Sequence, residues 1–121
     1  MPVSPTQRTL QRLRAQGYFA EVVEHRHSFA PAHVTVDFLG IIDVIALRPG
    51  ATLGVQATSM KDNISNVNAR MRKAEAEPRL VHWLAAGNAF EVWGWSENAL
   101  VRWRALIVSG VVTWVRMEDE R

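Results

Sequence analysis

Apolar residues gather into two dense runs over residues 36–59, VDFLGIIDVIALRPGATLGVQATS, on either side of Arg48-Pro49-Gly50. Val, Ile and Leu runs split by a Pro-Gly turn predict a β-hairpin at the centre of a sheet, with both faces covered. Asp37, Asp43 and Gln56 interrupt the apolar pattern. Polar groups buried in such strands are costly unless partnered. An acid in one strand and a Gln-x-Thr at the end of the next therefore mark a candidate site. Asp37 reads equally as a loop cap at the strand start.

The flanking pattern predicts the other elements. Ser4-Pro5-Thr6-Gln7 is a capped helix start, Leu10 and Leu13 form an apolar stripe, and Gly17 is a C-terminal cap, so a helix is expected over residues 5–16. Residues 18–27 read as a first strand and 28–33 as a connecting loop broken by Pro31. Met60, Ile64, Val67 and Met71 recur at helical spacing and predict a second helix over 60–76. Its other face carries Asn63, Asn66, Arg70 and Lys73. A short helix over 79–86 and strands over 89–96, 100–108 and 111–117 complete the order, and the acidic tail 118–121 is expected to fray. The expected class is α/β: one domain with a mixed sheet flanked by helices.

Composition narrows the setting. At 121 residues with 48% apolar residues, the chain suffices for one domain with its own core. The net charge of +2 says little about partners, but Arg8, Arg12 and Arg14 cluster early and Arg70, Arg72 and Lys73 in the middle. Cysteine is absent, which excludes disulfides and thiolate metal sites. The first residues lack a signal-peptide core and no apolar run is long enough to span a membrane, so a soluble cytoplasmic protein without a membrane partner is expected.

Asp43 followed by Val44-Ile45-Ala46-Leu47, a turn, and Leu53-Gly54-Val55-Gln56-Ala57-Thr58-Ser59 resembles the PD-(D/E)xK nuclease superfamily. The likeness covers residues 6–73 and is nearest to small Holliday-junction-resolvase-like and phage-associated members. It implies a restriction-endonuclease-like fold with an α-β-β-β-α-β core, an acid on the second strand, the (D/E)xK tripeptide on the third, and a basic helix after it. It also implies Mg²⁺ or Mn²⁺, DNA (branched DNA included) as substrate, hydrolysis of phosphodiesters, a homodimer, and the cytoplasm of a bacterial or phage-infected cell. On this likeness Asp43, Gln56 and the Ala57 carbonyl hold the metal. Thr58 stands in the lysine position, and Lys61 is placed to replace that lysine. Asn63, Asn66, Arg70 and Lys73 would contact the DNA backbone. The family's helix-one glutamate is missing, leaving Gln7 and Gln11 as the polar candidates.

The departures at Gln56 and Thr58 keep a second reading open: a catalytically degenerate nuclease fold acting as a nucleic-acid-binding or assembly subunit. A third is an oligomeric structural protein using the tryptophan-rich strands. His25-x-His27 with His33 raises zinc, but no further ligand with zinc-site spacing follows. Trp93 and Trp95 share one strand parity, opposite Phe90 and Val92, and Trp103 and Trp114 are expected to extend the same aromatic cluster.

Overall fold

The computed structural model describes residues 3–29, 32–60 and 64–118, with 25–29 and 32–35 as backbone alone. The elements are α1 (Pro5–Ala15), β1 (Phe19–Val22), β2 (His25–Phe29), β3 (Ala32–Val36), β4 (Val44–Arg48), β5 (Ala51–Ser59), α2 (Ser65–Glu75), α3 (Arg79–Ala85), β6 (Ala89–Trp95), β7 (Leu100–Val108) and β8 (Val111–Met117). Six strands form one mixed sheet in the order β1-β4-β5-β6-β7-β8, while β2 and β3 form a separate two-stranded ribbon. β5 and β6 are parallel and every other pair in the sheet is antiparallel. With the ribbon set aside, α1-β1-β4-β5-α2-β6 is the expected α-β-β-β-α-β core of an α/β fold.

Helices cover both sides of the sheet. Ser4 Oγ accepts the Gln7 N–H at 3.1 Å and caps α1. Leu10 and Leu13 of α1 pack on Ala20, Val44, Ala46, Leu53, Val55, Trp93 and Trp95. On the opposite side Val67, Met71 and Ala74 of α2 and Leu80 of α3 pack on Ile41, Ile42, Phe90, Val92 and Ala105. Because strand side chains alternate, β5 sends Leu53 and Val55 toward α1 and Gln56 toward the α2 side. No helix among the described residues is long and apolar enough to cross a membrane.

Three expectations change. The strand expected over 18–27 breaks after Val22. Val23 N–H donates to the Asp43 carbonyl at 2.8 Å, and the chain then leaves the sheet for the β2–β3 pairing, so residues 28–29 and 32–33 of the expected loop are strand residues and 30–31 lie outside the described residues. The strand expected from Val36 is interrupted by a tight turn in which Leu39 (φ 55°) and Gly40 (φ 74°) both have positive φ. Finally, α2 begins at Ser65 rather than Met60, whose N–H instead extends the β5–β6 pairing to the Trp95 carbonyl at 2.7 Å.

The tryptophans are core residues on two faces rather than one cluster. Trp93 is fully buried and Trp95 nearly so on the α1 side. Trp103 and Trp114 pack from the other side, Trp114 edge-on to Phe90 and donating to Glu75 at 2.7 Å.

α2 approaches the sheet over Gly94, where a Cβ would overlap Val67 Cγ2 and lie 3.3 Å from Met60 Sδ. Gly94→Ala is expected to lower stability by about 1–3 kcal/mol through this overpacking. Urea denaturation measures it, and a variant as stable as wild type would contradict the close seating of α2.

Candidate metal centre

Three successive reversals of the chain set four polar residues side by side. The ribbon ends with His25 opposite Val36, so Glu24 and Asp37 sit opposite one another at its base. The next turn pairs Phe38 with Ile42, which sets Asp37 opposite Asp43. The ladder of β4 and β5 pairs Val44 with Val55, which sets Asp43 opposite Gln56. The carboxylates of Glu24, Asp37 and Asp43 each bring an oxygen within 4.8 Å of the other two. The positive φ at Leu39, disfavoured for a residue with a Cβ, belongs to the turn that faces the two aspartates toward each other.

Asp43 is the anchor of the group. It is 4% exposed, and its Oδ2 accepts the Ala57 N–H at 2.8 Å and Gln56 Nε2 at 3.1 Å. The first of these bonds satisfies a β5 donor just past the point where β4 begins. Gln56 Nε2 also reaches Asp37 Oδ2 at 3.5 Å. Gln56 is equally buried, yet its Oε1 has no hydrogen-bond partner among the described residues. A buried acceptor left unpaired is uncommon and costly.

The electrostatics are those of crowded carboxylates. Among the described residues no arginine or lysine forms an ion pair with the three acids. Burial, the hydrogen-bonding Asp37 carboxyl, and the charges of Asp37 and Glu24 push the Asp43 carboxyl up to about 7 against the opposing Ala57 N–H. Burial, followed by the charge and hydrogen bonding of Asp37, also raises Glu24 above the ordinary carboxylate range. Oxygen-rich, charge-dense and partly buried, this arrangement suits a hard divalent cation.

Of the residues expected at a site, the structure brings Asp43 and Gln56 together. Ala57 contributes its N–H to holding Asp43. Thr58 lies two residues further along the same face of β5, buried, its hydroxyl 3.5 Å from the Ser59 carbonyl and outside the acid group. Asn66 donates to the Ser59 carbonyl at 3.0 Å, tying α2 to the end of β5. Arg70 is half-buried and Lys73 exposed along the same helix. Lys61 and Asn63 lie outside the described residues, as do the side chains of His25, His27 and His33. Gln7 and Gln11 sit on α1, across the sheet from the acids. Glu24 is the acid that sequence reasoning misses. Its only local signal is an acid directly after the apolar run Val22-Val23, where the strand has to end.

The fold and these residues define an α/β protein with a carboxylate and amide cluster at the strand ends of its central hairpin. Neither protein-family models nor curated protein sequences give a match to the chain.

Proposed function

We propose that this protein is a metal-dependent DNA nuclease of the PD-(D/E)xK type, with Glu24, Asp37, Asp43 and Gln56 holding Mg²⁺ or Mn²⁺. One observation carries the reading: three carboxylates lie within 4.8 Å of one another, two of them beside the Nε2 of a buried glutamine whose Oε1 has no partner among the described residues. Burial and like charge oppose ionisation of the Asp43 carboxyl, and the three carboxylates offer hard oxygens; Gln56 faces Asp37 and Asp43 with Nε2, so its amide would turn to offer Oε1 to a cation. The α-β-β-β-α-β order, with Asp43 and Gln56 on neighbouring strands of its hairpin, supports the same reading. An ion held by these residues would supply an activated water and neutralise charge on the scissile phosphate.

The chain's own residues prepare the site. The Ala57 N–H fixes the Asp43 carboxylate before any ligand arrives, so little ordering remains at binding. Asp43 would give up the proton that burial and the neighbouring carboxyls help it retain. Gln56 contributes an uncharged oxygen where the family has an acid, which lowers the charge of the site and weakens its hold on metal. Asn66, Arg70 and Lys73 on α2 would meet the DNA backbone beside the end of β5.

The test is cleavage of branched, single-stranded and linear DNA with Mg²⁺ or Mn²⁺. Wild type is expected to cut, and Asp43→Asn to lose more than about 100-fold, the upper range for removing a mere supporting group of a metal ligand. Cleavage unchanged by Asp43→Asn would overturn the assignment. The neutral Thr58 favours one other reading, a non-catalytic DNA-binding module. That reading requires DNA binding with no cleavage under any metal.

A further inference from the structure

The turn that sets Asp37 opposite Asp43 is seated on α3, a helix that carries none of the four proposed ligands. Ile41 and Ile42 of the turn are buried in one cluster with Leu80 of α3, and Leu39 and Trp83 pack against the same cluster. The Phe38 ring meets the Trp83 indole edge-on, with ring centres 6.0 Å apart and planes at 64°. Trp83 is itself fixed, because its Nε1 donates to the Ala89 carbonyl at the start of β6 at 2.8 Å. Gly54 of β5 makes room for this seating. A Cβ there would lie 2.7 Å from Ile42 Cδ1 and 3.1 Å from Trp83 Cζ2.

The tip of the turn meets a second support. A Cβ on Gly40 would lie 3.7 Å from Glu77 Oε1 and 3.8 Å from Arg79 Nη2, so the backbone passes close to these two side chains. They are bonded to each other, Arg79 Nη2 donating to Glu77 Oε1 at 2.8 Å and Nε to Oε2 at 3.0 Å. The pair therefore offers the turn a fixed surface rather than a free charge.

The turn needs such supports. Gly40 N–H donates to the Asp37 carbonyl and Ile42 N–H to the Phe38 carbonyl, both at 2.9 Å. These bonds form only with Leu39 at φ 55°, a conformation that persists where the surroundings impose it. Phe38 follows Asp37 directly, so a shift of the ring on α3 is passed to the carboxylate. A metal site tolerates displacements of only about 0.5 Å in its ligands.

We infer that Phe38 and Trp83 are positioning residues for the metal centre: their ring contact holds the turn that sets Asp37 opposite Asp43. The inference rests on the metal-binding reading for what the turn serves. Calorimetric titration with Mn²⁺ compares wild type with Phe38→Ala, Phe38→Tyr and Leu106→Ala. Phe38 is 40% exposed and Leu106, two strands from β5, is 42% exposed, so the two alanine variants remove comparably exposed side chains. Phe38→Ala is expected to bind at least about 10-fold more weakly, the lower range for removing the outer support of a metal ligand. Phe38→Tyr, which keeps the ring, and Leu106→Ala should retain wild-type affinity.

A second readout needs no metal. In EDTA, amide hydrogen exchange at Ile42 should be at least about 10-fold faster in Phe38→Ala, with the β5–β6 ladder unchanged, because only the turn is loosened. If Phe38→Ala does not fold, Phe38→Leu keeps apolar bulk without the ring and carries both measurements. Wild-type affinity in the folded variant, an equal loss in Leu106→Ala, or unchanged exchange at Ile42 would overturn the positioning role. Failure of the metal reading is seen separately, as wild type that binds no Mn²⁺, and it would take the positioning role with it.

Discussion

Asp43→Asn is expected to make the metal-free protein more stable above pH 7 while abolishing metal binding. Asparagine preserves the shape of the side chain and can still accept the Ala57 N–H that Asp43 accepts at 2.8 Å. It removes the charge that burial and the neighbouring Asp37 and Glu24 oppose, the opposition that lifts the carboxyl from 3.8 to about 7. Between those two values the folded chain holds a proton that the unfolded chain has released. Wild-type stability therefore falls as pH rises from about 4 to about 7, and the full penalty applies above that. The gap corresponds to a ceiling of roughly 4 kcal/mol. Denaturant melts of wild type and variant in EDTA should coincide near pH 4 and diverge in favour of the variant toward pH 8. A variant less stable than wild type at pH 8 would mean that Asp43 is a structural acid.

Glu91→Gln should be the most damaging single change to the fold. Glu91 is fully buried on the α1 side, where Arg102 Nε lies 2.9 Å and Trp93 Nε1 2.8 Å from its Oε1, while Arg104 Nε lies 2.8 Å from Oε2. Burial alone would raise its carboxyl, but the hydrogen bonds and charges of Arg102, Trp93 and Arg104 outweigh it and hold the group below its ordinary value. Glutamine leaves two guanidiniums facing a neutral amide, one of them almost wholly buried. Breaking such a pair from one side costs about 3–5 kcal/mol. The depressed carboxyl also sets a pH dependence. Its stabilisation is present above the unfolded value and disappears as pH falls through the folded one, so acid unfolding of wild type should begin below about pH 4. Urea denaturation at neutral pH checks the first expectation, and a loss under about 1 kcal/mol would contradict the charge network.

The two expectations separate a carboxylate proposed to hold metal from a structural one. Glu91 is surrounded by donors and stabilises the fold. Asp43 lies among other carboxylates and works against it. Residues that destabilise the chain they belong to are the ones a site retains for its chemistry.

Local signals made much of the fold legible. The Ser4 cap, the turn at Arg48-Pro49-Gly50 and the apolar spacing of Val67 and Met71 each act within a few residues, and each element appears where its signal lies. Asp43 and Gln56 are legible as neighbours because a tight hairpin fixes its own register. The other half of the cluster depends on pairing that leaves the sheet. Glu24 and Asp37 meet because β2 pairs with β3 outside the main sheet, and nothing in HRHSFAPAHVTV distinguishes a separate ribbon from a strand end and loop. The turn that faces Asp37 to Asp43 places Leu39 in a backbone conformation its own residue type argues against, so the run from Val36 reads as continuous strand. Glu91 is hidden for a third reason: its partners Arg102 and Arg104 come from a strand whose register is set only in the folded sheet.

The proposed activity stands or falls on whether Glu24, Asp37, Asp43 and Gln56 hold a divalent cation. Calorimetric titration of the metal-free protein with Mn²⁺ at about pH 7, repeated in buffers of different ionisation enthalpy, decides this. A cation displaces the proton that Asp43 retains near that pH, so binding should release protons to the buffer. One saturable site per chain and measurable proton release are expected, with both abolished in Asp43→Asn. Absence of saturable binding by wild type, or unchanged binding by the variant, would contradict the metal centre.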